Sequence, residues 1–194
     1  MDGSSIYDSN RVFIGFGHDM DMGCKKSFGV FSKNGIKIQF DDPQLLTVGV
    51  FYDAKLKEAA SATHVIILGH SDGINNLRYQ QQNVPPAVLA QFLDTRFPNV
   101  RRVDIFACSL ARGNYGYRLF DGFATTGDGS APEIRLPKYT VAQNQGVVCL
   151  VKKFSPKIIS WDTIPKDHIV ENSFIGSLSS YQTVTDRDDL FLKL

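Results

Sequence analysis

The chain is short of cysteine, and its three, Cys24, Cys108 and Cys149, are odd in number with none in a Cys-x-x-Cys pair. That excludes a disulfide framework and predicts a reducing working environment. Net charge is nearly absent, with 21 Lys and Arg against 20 Asp and Glu. The basic residues come as separate pairs, Lys25-Lys26, Arg101-Arg102 and Lys152-Lys153. No broad field favours nucleic acid, so no nucleic-acid partner is expected and any anion site must be local. Long apolar runs are missing too. Nothing approaches the roughly 18 residues of a membrane span, and the opening MDGSSIYDSN is polar where a secretory signal would be apolar. A soluble protein is expected. Internal repeats, low-complexity tracts and linkers are also lacking.

What is present is enough apolar residue, 43% of 194 positions, to build a real core, which predicts a single domain over residues 1–194. RVFIGF at 11–16 reads as a first strand. FGVFSKNGIKIQF, at 28–40, sets Asn34-Gly35 between two alternating runs and predicts a two-residue hairpin. A strand at 45–52 and a short helix at 54–62 lead into VIIL at 65–68, apolar on both faces as a buried strand would be. Pro85-Pro86 then opens a helix with Val88, Leu89, Phe92, Leu93 and Phe97 on one face. VDIFA at 103–107 is a second buried strand. A helix is expected at 109–124 with Leu110, Tyr117 and Phe120 inward, followed by strands at 133–141, 146–154 and 157–161. Strand, helix, strand, helix predicts an α/β fold with parallel pairing through right-handed crossovers.

In such a sheet, functional side chains collect beyond the carboxyl ends of adjacent parallel strands. One apolar strand here ends in Gly69-His70 and the next in Ala107-Cys108. A single crossover would therefore bring an imidazole and a thiol to one edge. Cysteine nucleophiles need a thiolate, a base or ion-pair partner, and N–H groups for the oxyanion. Cys108 at the start of a helix would have dipole support and a free N–H, and the Ser71 to Gly73 turn would complete the oxyanion site. The predicted chemistry is acyl transfer by a His70/Cys108 dyad, with the strands at 133–141 and 146–154 as walls of the cleft.

An apolar strand ending in His, a turn, a helix, then an apolar strand ending in Ala-Cys-Ser resembles clan CD cysteine peptidases, which include caspases, gingipains and clostripain. The similarity is greatest to the self-cleaving cysteine peptidase domains of large bacterial toxins, the multifunctional RTX toxins and the clostridial glucosylating toxins. The matching stretches are VIILGHSDGINNLRY, PPAVLAQFLDTRF, VDIFACSLARGNYGYRLFDGF and, more loosely, PEIRLPKYTVAQNQGVV and KIISWD, spanning about residues 63–162. The resemblance implies a caspase-like mixed sheet with a parallel core, flanking helices and a C-terminal β-flap. It divides the chain into N-terminal strands and hairpin (1–62), catalytic core (63–124), and flap with C-terminal strands (125–194).

For function, the resemblance implies a dyad of His70 and Cys108 that needs no cofactor for its chemistry. It also implies cleavage after leucine in a polypeptide substrate, either the chain itself or a host protein, by a domain or effector secreted from a bacterium into a host cytosol. Inositol hexakisphosphate is the implied activator, and the lysines in the corresponding regions are Lys25, Lys26, Lys138, Lys152, Lys153 and Lys157. The sequence departs from the family in two places: only these six lysines stand in the regions that supply the family's phosphate-binding set, and they read equally as ordinary surface lysines, while Ser71 comes after the histidine where the family has glycine. A position that required φ > 0 would be distorted by that change.

Two other readings compete. Gly69-His70-Ser71-Asp72-Gly73 is a literal G-x-S-x-G, which would make Ser71 the nucleophile of an α/β-hydrolase esterase. However, INNLRYQQQNVPP after it lacks helical period, and His168 is the only later histidine. The other competitor is an inactive binding module of the same fold, motivated by Ser71. No metal site is expected. The segment from His18 to Cys24 mixes ligand types, but Val30 stands where a calcium loop from Asp19 needs an acid, and a second zinc-ligand pair is missing. Cys149 is assigned to an apolar strand, and His64 and His168 to the surface.

Overall fold

A computed structural model of the chain describes residues 10–16, 35–40, 54–72, 76–79, 82–126, 131–137, 140–144, 147–151, 169–174 and 191–193. In chain order the strands are β1 (Arg11–Phe16), β2 (Ile36–Phe40), β3 (His64–Leu68), β4 (His70–Ser71), β5 (Leu77–Tyr79), β6 (Gln82–Asn83) and β7 (Arg102–Phe106). They continue with β8 (Glu133–Pro137), β9 (Thr140–Asn144), β10 (Val147–Val151), β11 (Ile169–Phe174) and β12 (Phe191–Lys193), and the helices are α1 (Ala54–Ala59), α2 (Pro86–Arg96) and α3 (Tyr115–Thr126). The main sheet has the order β12-β8-β7-β3-β1-β2. Its five strands from β8 to β2 are parallel, and β12 adds antiparallel at the β8 edge. The fold is α/β, with a mixed sheet around a parallel core.

Both faces of this sheet are buried, which is why β3 and β7 read as unbroken apolar runs. The pleat sends Val65, Ile67, Val103, Ile105, Ile134 and Leu136 to one face, where they join Leu89 and Leu93 of α2 and Leu119 and Phe123 of α3. The opposite face buries Phe13, Ile66, Leu68 and Phe106, and with them Asp104 and Arg135. Helix α2 begins at Pro86 as the proline signal predicts, with Leu89, Phe92, Leu93 and Phe97 buried. Val88 is only half-buried.

Several expectations change. β2 runs parallel to β1, from Val12↔Ile36 to Phe16↔Phe40, and the hairpin expected at Asn34-Gly35 would pair it with residues 28–33. The run before that turn lies outside the described residues. Gly35 has a different use: a Cβ there would lie 2.7 Å from the Arg11 carbonyl oxygen and 2.8 Å from the Phe13 ring. Glycine lets β2 approach β1.

The helix expected at 109–124 is broken. A 3-10 turn at Leu110–Arg112 precedes α3, with Ser109 in the left-handed region and Gly113 extended. The break resets the helical phase, so Tyr115, Leu119 and Phe123 face inward while Tyr117 and Phe120 are 55% and 37% exposed. Leu110 is buried as expected. The run at 133–141 also divides, into β8 of the main sheet and β9, which pairs with β10 in a separate antiparallel sheet completed by β11. The predicted helix at 54–62 is helical only over Ala54–Ala59. The strands predicted at 45–52 and 157–161 lie outside the described residues.

Candidate active site

The last register pair of β3 and β7 is Leu68↔Phe106. The Gly69 N–H donates to the Phe106 carbonyl at 3.2 Å, carrying the ladder one residue further. His70 and Cys108 are therefore the next residues on two neighbouring chains leaving the carboxyl edge of one parallel sheet, where adjacent strands run about 4.8 Å apart. Both are half-buried.

Beyond the edge, His70 and Ser71 turn into a small antiparallel sheet, β4-β5-β6, with His70 opposite Arg78 and Ser71 opposite Leu77. The hairpin is closed by Asp72. Its N–H donates to the Asn76 carbonyl at 3.0 Å, and its carboxylate accepts the Asn76 backbone N–H at 3.0 Å and side-chain amide at 2.7 Å. Leu77 and Tyr79 anchor the hairpin in the core. Arg78, directly across from His70, is not singled out by the sequence, because only the hairpin pairing brings it there.

Two hydrogen bonds tie the segment after His70 to the segment after Cys108. The Ser71 hydroxyl donates to the Cys108 carbonyl oxygen. The Tyr115 hydroxyl, at the start of α3, donates to the Val84 carbonyl at 3.1 Å, and the Val84 N–H in turn donates to the Leu77 carbonyl at 2.8 Å. Burial pushes the Tyr115 phenol well above its ordinary value, with Arg118 opposing the shift, so the phenol remains a donor.

The expectation that Cys108 begins a helix is not met. Cys108 and Ser109 form a turn, and α3 starts only at Tyr115, so no long helix directs its dipole at the thiol. Ser109 has φ 53° and is the one non-glycine residue with positive φ among the described residues. Ser71 is therefore extended, and serine in place of glycine strains nothing there. Nor does Ser71 sit on a strand-to-helix elbow, since it leads into a hairpin. Gly73 lies outside the described residues, as do His18, Cys24, His168 and all six lysines considered for inositol phosphate. Cys149 lies in β10.

A buried ionic cluster on the second sheet face is the other electrostatic feature. Asp104 of β7, 3% exposed, accepts from His64 Nε2 at 2.9 Å and from Arg102 Nη2 at 2.9 Å and Nε at 3.1 Å. Arg135 Nε stands 3.9 Å away. Burial alone would push the Asp104 carboxyl up. The hydrogen bond and charge of His64, followed by those of Arg102, outweigh it and hold the group below the ordinary carboxylate range. His64 is thus not the surface residue the sequence suggests; its side chain is 14% exposed and committed to Asp104. Among the described residues no group of three His, Cys, Asp or Glu is placed to hold a metal, and no helix is long and apolar enough to cross a membrane.

No protein-family model matches the chain, and no curated protein resembles it in sequence. Among solved structures, a secreted C11 cysteine protease from Bacteroides thetaiotaomicron, in complex with an irreversible peptide inhibitor, superposes with a TM-score of 0.43 at 9% identity over 69% of this chain. The chain spans 50% of that protein's length.

Proposed function

We propose that this protein is a cysteine peptidase in which Cys108 is the nucleophile and His70 its proton carrier. The observation that supports it most is the β3/β7 register, which sets the two residues on adjacent carboxyl ends of one parallel sheet. In this reading the Cys108 thiolate attacks the scissile carbonyl carbon, and the tetrahedral oxyanion is held by backbone N–H groups of Cys108 and of the hairpin after His70. The imidazolium of His70 protonates the leaving amine as the C–N bond breaks, leaving a thioester. His70 then takes a proton from the water that hydrolyses it. With no helix start at Cys108, the thiolate depends on His70 and on backbone N–H groups instead of a macrodipole.

A substrate with leucine before the scissile bond, a self-processing or effector role in bacterial toxicity, and activation by inositol hexakisphosphate are what the sequence resemblance adds to this reading. The test is incubation of the wild type, Cys108→Ala and His70→Ala with a leucyl peptide library, with and without inositol hexakisphosphate. Cleavage by the wild type, loss of at least a thousandfold in both variants and covalent labelling of Cys108 by a peptidyl thiol-directed inhibitor are expected. Hydrolysis surviving in Cys108→Ala would sink the dyad and revive an esterase at Ser71. A silent wild type whose Cys108 resists the inhibitor would identify an inactive binding module.

A further inference from the structure

Ser71 is the residue at which this sequence leaves the pattern it otherwise resembles, and it is also the residue that bonds to the nucleophile's own peptide group. We infer that Ser71 is a positioning residue: its hydroxyl fixes the Cys108–Ser109 peptide plane and so holds the Cys108 thiol in register with His70. The inference rests on the dyad reading above and concerns how the dyad is held.

β7 ends at Phe106, so at Cys108 the parallel ladder no longer dictates where the carbonyl points. The Ser71 Oγ–H donates to that carbonyl oxygen. Because the peptide is planar and trans, holding its oxygen sets ψ of Cys108 and φ of Ser109 together. Ser109 accordingly sits at φ 53° and ψ 23°, a left-handed conformation that a non-glycine residue keeps only when its surroundings over-determine it. Side-chain rotamers depend on backbone angles, so a fixed ψ at Cys108 restricts where the sulfur goes. The donor is itself well held: Ser71 pairs with Leu77, next to the Asp72–Asn76 closure. Ser71 and His70 are consecutive residues of β4, so the bond joins the base's strand directly to the nucleophile's turn. Glycine at position 71 could not make it.

The experiment compares the full-length wild type with Ser71→Ala, Ser71→Gly, Ser71→Thr and His70→Ala, using iodoacetamide as the probe. The rate of Cys108 alkylation is monitored by mass spectrometry between pH 5 and pH 10, beside kcat and KM on a peptide that the wild type cleaves. In Ser71→Ala and Ser71→Gly, half-maximal alkylation moves to higher pH, towards the His70→Ala profile. In both variants kcat falls roughly ten- to a hundredfold with KM unchanged, the size expected of a misplaced reacting group. Ser71→Thr, which keeps the hydroxyl, restores both to within about threefold of wild type by the same reasoning. A merely structural role would lower the unfolding midpoint without moving the alkylation profile. Wild-type profiles in Ser71→Ala and Ser71→Gly, alongside a displaced His70→Ala, overturn the positioning role alone. A His70→Ala profile identical to wild type overturns the dyad, and the role of Ser71 with it. Alkylation reads the thiol without a substrate, so the test stands even where no peptide is cleaved.

Discussion

At position 104 a carboxylate is buried between Val103 and Ile105 of β7, and it is tolerated because His64 and Arg102 donate to it and Arg135 stands close by. Removing its charge would leave three donors around a neutral amide in a poorly solvated place. Asp104→Asn is expected to lower unfolding stability by about 3–5 kcal/mol, the range for removing one partner of a buried ion pair. The direction of the shift sets the pH dependence. The folded carboxyl ionises at lower pH than the unfolded one. Its contribution is therefore fully present above the ordinary carboxylate value of about 3.9 and is lost as pH falls below it. Urea unfolding between pH 7 and pH 2 should show that loss in wild type and a shallower one in Asp104→Asn. Equal slopes would mean that Asp104 carries no such linkage.

Between elements, α2 and α3 approach closely where Gly122 faces Ala90. A methyl group at 122 would lie 2.7 Å from the Ala90 Cβ and 3.3 Å from the Ala87 Cα. Two effects oppose each other in Gly122→Ala. Helix propensity favours alanine by about 1 kcal/mol, while forcing apart two packed helices costs about 1–3 kcal/mol. The contacting atoms are a Cβ and a backbone carbon, not the tip of a flexible side chain, so overpacking prevails and a net loss of about 1 kcal/mol is expected. Ala90→Gly in the same chain should relieve the clash and recover most of that loss. Denaturant midpoints of the single and double variants decide this, and additive effects would contradict it. The helical pattern of 109–124 does not disclose this contact, because Gly113 and Gly122 look equally permissive in sequence although one ends a 3-10 turn and the other admits a neighbouring helix.

For the whole molecule, position in the sheet decides what a substitution does. β3 lies between β1 and β7, covered on both faces, and Ile67 is completely buried among residues of the sheet and its helices. Ile67→Ala is expected to cost about 2–5 kcal/mol. Tyr117→Ser, on the exposed side of α3, should change stability by no more than about 0.5 kcal/mol, although the sequence pattern places Tyr117 in the core. Thermal unfolding of both variants separates the two cases, and similar losses would place Tyr117 inside after all. Cys108 and His70 stand at the edge of this same core, so a sheet buried on both faces supports the proposed chemistry while both residues stay half-buried.

Local sequence was enough to predict β3, β7 and α2, because each carries its own signal: unbroken apolar runs for strands buried on both faces, and a proline pair ahead of a helical stripe. It was enough also to put His70 and Cys108 at strand ends, since those residues come directly after the apolar runs. Tertiary structure alone decided what depends on partners distant in sequence. Register brought the chain ends that lead to His70 and Cys108 to one sheet edge, and pairing made β2 a parallel neighbour of β1. Hydrogen bonding to Asp104 drew His64 inside, and a left-handed Ser109 broke the helix expected after Cys108 and reset its buried face. The Ser71 to Cys108 bond spans 37 residues. No local pattern encodes it, because it exists only once two strands have paired and brought a hydroxyl to a carbonyl.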